Sequence, residues 1–262
     1  MINIKKKDYV GLERHNNFGS KMIVTRSNTS KDIDIYFPQY DWTYKNGKLS
    51  AFKGGKVKCP YERRYCGVGY IGEGEHKVCE NGKDTHIYKV WIGMLKRCYD
   101  ENANRYDLYG GSGATVCEEW HNFQNFAEWY EENYYEIEGE KMCLDKDILV
   151  KGNKIYSPQT CVFVPNRINV LFTKSDKIRG DFPIGVTYHK RDKVFESKMC
   201  YMDKNKIKHS CYLGRYNTSE EAFESYKKAK ENYIKQVADE YKLYIPKELY
   251  DAMYDYRVEI SD

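Results

Sequence analysis

Pro183-Ile184-Gly185-Val186, Phe195-Glu196-Ser197-Lys198-Met199 and Leu213-Gly214-Arg215-Tyr216-Asn217-Thr218-Ser219-Glu220-Glu221-Ala222 decide how the last third of the chain folds. Between Phe195 and Cys200, apolar-side Phe195, Ser197 and Met199 alternate with Glu196, Lys198 and Cys200, the period of a strand with one covered face. Thr218, with Glu221 three residues on, has the spacing of a capping box and marks the start of a long helix. Ala222, Tyr226, Ala229, Tyr233 and Val237 then recur at spacings of three and four, one apolar stripe along that helix. Three strands and one helix bury their apolar faces against each other. The other sheet face is left in solvent.

That exposed face is basic. From Lys174 to Arg215 eleven cations stand against five acids, a local net of +6 beside +4 for the whole chain. Such a surface neutralises phosphates and releases counterions, and a sheet face fits the major groove. The plain alternative is that the lysines only keep the sheet solvated. The β-β-β-α order, with Pro183-Ile184-Gly185-Val186 and Leu213-Gly214-Arg215-Tyr216 at their spacing, resembles the AP2 family of DNA-binding domains over residues 183–245. Phe195 stands where that family usually has Trp, and Ser197 where Ala is typical. The resemblance implies double-stranded DNA as partner. Lys190, Arg191, Lys193, Lys198, Lys208 and Arg215 are the contacts expected, mostly to phosphate, with Lys198 and Arg215 the candidates for base edges.

The rest of the chain bounds this reading. Its 262 residues suit two or three domains, and 26 tyrosines within 15% aromatics supply ample core. No apolar run approaches the roughly 20 residues of a membrane span, and Met1-Ile2-Asn3-Ile4-Lys5-Lys6-Lys7 lacks the apolar region of a secretory signal. A soluble, cytoplasmic protein without membrane contact is expected, in the host cell cytoplasm if phage-encoded. Nine cysteines, an odd number with no CxxC, argue against a disulfide scaffold. Cys59, Cys66, His76 and Cys79 match no zinc spacing, so zinc is not expected.

Residues 1–75 read as a β-rich unit. Strands are expected at Lys21–Thr25 and Asp32–Phe37, around a turn at Ser27–Ser30, and Asn46-Gly47 signals a hairpin. Gly67, Gly69 and Gly72 fit a dinucleotide fingerprint without its βαβ setting, so they read as a flexible connection. Residues 86–172 read as a second unit. Trp91, Met94, Leu95 and Cys98 predict a helix ending near Asn102, and Tyr109-Gly110-Gly111-Ser112-Gly113 a tight loop. A helix from about Glu119 is expected to bury Phe123, Phe126, Trp129 and Tyr130 or Tyr134. From 118 to 140 there are eight glutamates and no Lys or Arg, a solvated face or a surface for a basic protein partner. Residues 173–182 read as a linker, and the acidic segment 246–262, with Leu249, Met253 and Tyr256, is expected to fold back on the body.

The central motifs run in order: Trp91-x-x-Met94-x-x-Arg97-Cys98-Tyr99, the Tyr109–Gly113 loop, Val116-Cys117-Glu118-Glu119-Trp120, and Phe123-x-x-Phe126. Then come Leu144-Asp145-Lys146-Asp147-Ile148, Gly152-Asn153, Tyr156-Ser157-Pro158-Gln159-Thr160-Cys161, and Asn166 or Asn169. This arrangement resembles phage and mobile-element HNH-like endonucleases, which often carry AP2 domains. It implies a ββα site in which a His activates water while a carboxylate and a helix-borne side chain hold Mg²⁺. Asp145 falls at the acidic position, Lys146 where the base His belongs, Thr160 at the loop Asn, and Asn166 or Asn169 at the helical ligand. Asp145, Lys146, Asn166 and Asn169 are therefore the catalytic candidates, and Asp145, Asp147 and Asn153 the oxygen donors for a hard cation. An ammonium flanked by two acids is a poor base.

The sequence thus predicts an α+β protein with an N-terminal β-rich unit, a central helical HNH-like unit and a C-terminal three-stranded antiparallel sheet on one long helix. The expected function is DNA binding by a phage-type protein whose HNH-like unit lacks catalysis. A metal-dependent nickase or homing-type endonuclease is the alternative. Another is an inhibitor of host defence or of a host nucleoprotein complex acting through protein contact.

Overall fold

The computed structural model describes residues 8–173, 181–205 and 207–260, and the linker expected over 173–182 lies largely outside them. The fold is α+β. It divides into two compact units, residues 1–132 with Ile155–Ser157, and Asn133–Lys154 with Pro158–Asp262. The central segment 86–172 is therefore shared between them.

The first unit opens with an antiparallel sheet in the order β1 (Glu13–His15), β2 (Lys21–Thr29), β3 (Asp32–Phe37), β4 (Trp42–Gly47). Met22 and Val24 of β2 and Ile33, Ile35 and Phe37 of β3 alternate inward and are fully buried, joined by Leu49 and Phe52 of the short helix α1 (Leu49–Lys53). Two expectations are corrected here. β2 runs on through Ser27 to Thr29, with register shifts after Val24 and Ser27, so the turn is tighter than Ser27–Ser30. Asn46-Gly47 is not a hairpin loop. Asn46 has φ of +56°, its N–H donates to Asp34 Oδ1 at 3.0 Å, and Gly47 pairs with Ile33 at the end of β4. The β3–β4 hairpin turns instead at 38–41, where Asp41 has φ of +48°.

A small hairpin, β5 (Cys79–Glu80) with β6 (Lys83–Asp84), leads to α2 (His86–Tyr99). Thr85 caps α2 by accepting from Tyr88 N–H, and the expected stripe Trp91, Met94, Leu95, Cys98 is its buried face. The Gly67–Gly72 connection is packed rather than loose: a Cβ on Gly69 would lie 2.4 Å from Leu95, and the backbone of Tyr70 bridges to Asn122. A 3₁₀ turn at Tyr106–Leu108 precedes the tyrosine–glycine loop, which forms a second at Gly110–Ser112 before β7 (Thr115–Val116). A further 3₁₀ turn, Glu118–His121, precedes α3 (Phe123–Asn133), which starts later than expected from Glu119; Trp129 is only half-buried on it. β8 (Met142–Asp145) belongs to the second unit, while β9 (Ile155–Tyr156) belongs to the first and pairs there in parallel with β7.

In the second unit β8 pairs antiparallel with β10 (Val162–Pro165), which runs straight into α4 (Asn166–Leu171). The C-terminal antiparallel sheet has the order β11 (Val186–His189), β12 (Val194–Met202), β13 (Lys208–Tyr216). Helix α5 (Ser219–Tyr241) starts at a complete Thr218–Glu221 capping box, and α6 (Lys247–Asp255) follows from Pro246. One core joins all of these. Met199 of the sheet, Phe223, Tyr226, Ile234 and Val237 of α5, and Leu249 and Met253 of α6 share it with Ile148, Val162, Val164 and Ile168. The C-terminal segment thus folds back as expected. The β8–β10–α4 group is structurally one body with the sheet, not with α2 and α3. Among the described residues no helix is long and apolar enough to cross a membrane.

Candidate nucleic-acid interface

Pairing across β12 sets the two faces of the C-terminal sheet. Ser197 and Met199 are buried against the helix layer, as alternation requires, and Val186 lies opposite Ser197. On the other face Glu196 lies opposite Arg215, and Lys198 opposite Tyr212. The two strands shift register between Ser197 and Lys198, so Leu213 is an extra residue in β13, beside Gly214 with φ of +136°. The bulge brings Tyr212 and Arg215, three apart in sequence, onto one face.

Charge on this face is organised around two acids. Arg215 donates from Nε to Glu196 Oε1 at 3.0 Å, and Lys198 Nζ lies 3.2 Å from Oε2. Lys198 first and Arg215 second hold the Glu196 carboxyl below its ordinary range, and Glu196 in turn raises the guanidinium of Arg215. Glu196 is only 8% exposed although it points away from the core, because its two cations cover it. Asp192, in the β11–β12 hairpin, accepts from Arg191 Nε at 2.8 Å and lies 3.3 Å from Arg215 Nη1 and 3.4 Å from His189 Nδ1. Lys190, Lys193 and Lys208 are exposed, and none of them has an acidic partner among the described residues. Lys193 holds the hairpin with φ of +52°.

The six candidates therefore separate into two sets. Lys198 and Arg215 share the nearly covered Glu196 carboxylate and Arg191 pairs with Asp192 at an exposed position, whereas Lys190, Lys193 and Lys208 extend into solvent. Glu196, Asp192 and the 54% exposed Tyr212 are the face residues that sequence reasoning passed over as functional groups. The alternation of β12 put Glu196 beside Lys198. Only the bulge, invisible to a period-two reading, reveals Tyr212.

The catalytic candidates are on β8, its following turn and α4. Asp145 Oδ1 accepts from the backbone N–H groups of Asp147 at 2.9 Å and Ile148 at 2.8 Å, closing a tight turn. Burial, then the Asp147 charge, pushes the Asp145 carboxyl up to about 6. Lys146 Nζ lies 3.3 Å from Asp147, and Asn153 Nδ2 donates to Lys146 C=O at 2.6 Å. On α4, Asn166 Oδ1 accepts a weak contact from Cys143 Sγ at 3.7 Å, and the Asn169 carbonyl accepts from Phe172 N–H.

One Asp145 oxygen accepts from two backbone donors, the Asn153 amide nitrogen serves a backbone carbonyl, and an ammonium stands beside Asp147. Among the described residues no three His, Cys, Asp or Glu side chains group to hold a metal. His121 lies in the first unit, buried, with Nδ1 3.0 Å from Glu118.

The acidic run is likewise divided. Glu128, Glu131 and Glu132 are exposed on α3 and Glu131 pairs with His76 at 3.3 Å, while Glu140, in the second unit, accepts from Tyr241 OH at 2.9 Å. Comparison with family models, with curated proteins and with solved structures finds no match.

Proposed function

We propose that this chain binds double-stranded DNA through the outer face of β11–β13, and that β8, β10 and α4 serve that sheet as scaffold rather than as a nuclease. The carrying observation is the pair Lys198 and Arg215, held on a solvent-facing sheet surface by one nearly covered carboxylate, Glu196. Fixed donors of this kind suit base edges in the major groove, whereas extended lysines such as Lys190, Lys193 and Lys208 suit phosphate. Tyr212 adds a flat contact between them. The scaffold half of the proposal is supported by the shared core, and by Asp145, whose carboxylate ties a turn.

The test uses the full chain. Lys198→Ala with Arg215→Ala lowers affinity for a duplex, and supercoiled plasmid stays un-nicked by the native protein in Mg²⁺. Unchanged affinity removes the assignment of this face. Nicking that Asp145→Ala abolishes replaces the scaffold reading with a metal-dependent nickase.

A further inference from the structure

A second basic and aromatic site stands in the first unit, apart from anything used above. The stretch 53–64 carries five cations, Lys53, Lys56, Lys58, Arg63 and Arg64, and one acid, Glu62. That acid is 2% exposed, takes a hydrogen bond from Asn16 Nδ2 and lies 3.5 Å from Arg64 Nε, so Arg64 is already partnered and mostly covered. Lys58 Nζ and the Arg64 guanidinium lie 5.5 and 4.8 Å from the centre of the Phe18 ring, which is 49% exposed. Close by in sequence, Tyr40, Tyr61, Arg63 and Tyr70 line a cavity of about 250 Å³. Tyr61 and Tyr70 form a V, their centroids 6.1 Å apart at 48°, and the Arg63 guanidinium lies 5.9 Å from the Tyr70 ring centre. Glu73 accepts from Tyr61 OH at 2.9 Å and from Trp42 Nε1 at 2.8 Å.

The chemistry narrows the occupant. The space is below that of a drug-sized ligand site and suits one planar ring system. A guanidinium already over one ring disfavours a cationic guest. The three tyrosines are half-buried, and ring faces open to solvent beside backbone-neutralising cations are the recurring solution for unstacked bases, each base stacking on a ring while its phosphates meet Lys and Arg. Bases inside a duplex cannot reach such rings. Arg63 pairs with Glu118, but both side chains are exposed and such pairs hold weakly, so a phosphate can take the place of the acid. A carboxylate keeps lone-pair capacity beyond two hydrogen bonds, which leaves Glu73 able to accept from an exocyclic amine.

We propose that this cavity takes a nucleobase of single-stranded nucleic acid, stacked on Tyr61 or Tyr70, with Lys58 and Arg63 on the adjoining phosphates and Glu73 favouring cytosine or adenine over thymine. The proposal does not depend on the reading of the C-terminal sheet. Its test titrates the full chain into fluorescent oligodeoxycytidylate and oligothymidylate. The native protein binds the first more tightly, Tyr70→Leu weakens it about tenfold, as expected for one lost stacking contact, and Tyr70→Phe does not. Glu73→Gln erases the preference between the strands. Lys198→Ala with Arg215→Ala leaves strand binding intact while duplex binding falls, which separates the two sites. If Tyr70→Leu unfolds on heating at lower temperature than the native chain, Arg63→Gln, at an exposed position, gives the reading through a several-fold loss. No strand binding by the native protein, native affinity in Arg63→Gln together with a folded Tyr70→Leu, or loss of strand binding in the sheet variant would each overturn the proposal.

Discussion

Arg215 donates from Nε to one oxygen of Glu196 at 3.0 Å and holds Nη2 2.9 Å from the same oxygen, across the β12–β13 pair. The carboxylate both aims the guanidinium and cancels much of its charge. Replacing Glu196 by Gln keeps the shape and removes the cancellation. Duplex affinity at low salt then rises, and the slope of log affinity against log salt steepens by about 0.9, as for one added phosphate contact. Anisotropy titrations of Glu196→Gln and the native chain read this directly; an unaltered slope would mean that the cation–carboxylate cluster does not meet DNA.

Asp145 gives a pH dependence of unusual sign. Its carboxyl titrates near 6 in the folded chain against an ordinary 3.8, so the native state takes up the proton before the unfolded state does. The stability it contributes is present in full below about 3.8 and is lost as pH rises through about 6. Glu196, Asp192, Asp203 and Asp239, all in the same unit and all lowered, act oppositely and lose stability as pH falls through their own range. The second unit is therefore expected to be most stable in mildly acidic solution. Asp145→Asn stabilises it by about 2 kcal/mol at pH near 8 and changes little near pH 4. Urea unfolding at both values checks this, and destabilisation at the higher pH would show the carboxylate to be needed as an anion.

Much of this architecture was legible in the chain. The Thr218–Glu221 cap and the stripe of α5 appear where their spacing put them, because local hydrogen bonding and a 3.6-residue period both act within one helix. The alternation of Ser197 and Met199 appears because successive side chains of a strand point to opposite faces. Spacing could not show that Ile148, Val162, Val164 and Ile168 bury against α5, since those contacts join distant segments. Nor could it show the bulge at Leu213, which depends on how two strands align. At the candidate metal positions, residue types suggested ligands. The structure adds that Asp145 accepts from two backbone N–H groups and that Asp147 stands beside Lys146, and hydrogen-bond direction is not written in composition.

Gly185 shows what the packing demands of one position. It has φ of +79°, and a Cβ there would lie 2.0 Å from the Tyr226 ring of α5. Gly185→Ala meets both a left-handed backbone and a rigid, buried ring. It should cost about 2–4 kcal/mol, measured as a fall in the denaturation midpoint of the second unit. A loss below about 0.5 kcal/mol would mean that α5 does not sit against the start of β11.

The shared core also predicts where the chain can be cut. Residues 183–245 expressed alone leave α5 without Val162, Val164, Ile168, Leu249 and Met253, and should give non-cooperative melting and dye-binding apolar surface. Residues 133–262 keep those partners and should unfold in one cooperative transition. Cooperative unfolding of the shorter piece would contradict the single-core description.

The central claim is that the outer face of β11–β13 meets duplex DNA. The measurement that tests it most directly is anisotropy of a labelled random-sequence duplex, titrated with the intact chain and with Lys198→Ala/Arg215→Ala across a salt series. The account predicts salt-sensitive binding by the native chain, with the variant weaker at every salt concentration. Absence of duplex binding by the native chain, or equal affinity and slope in the two proteins, would contradict it.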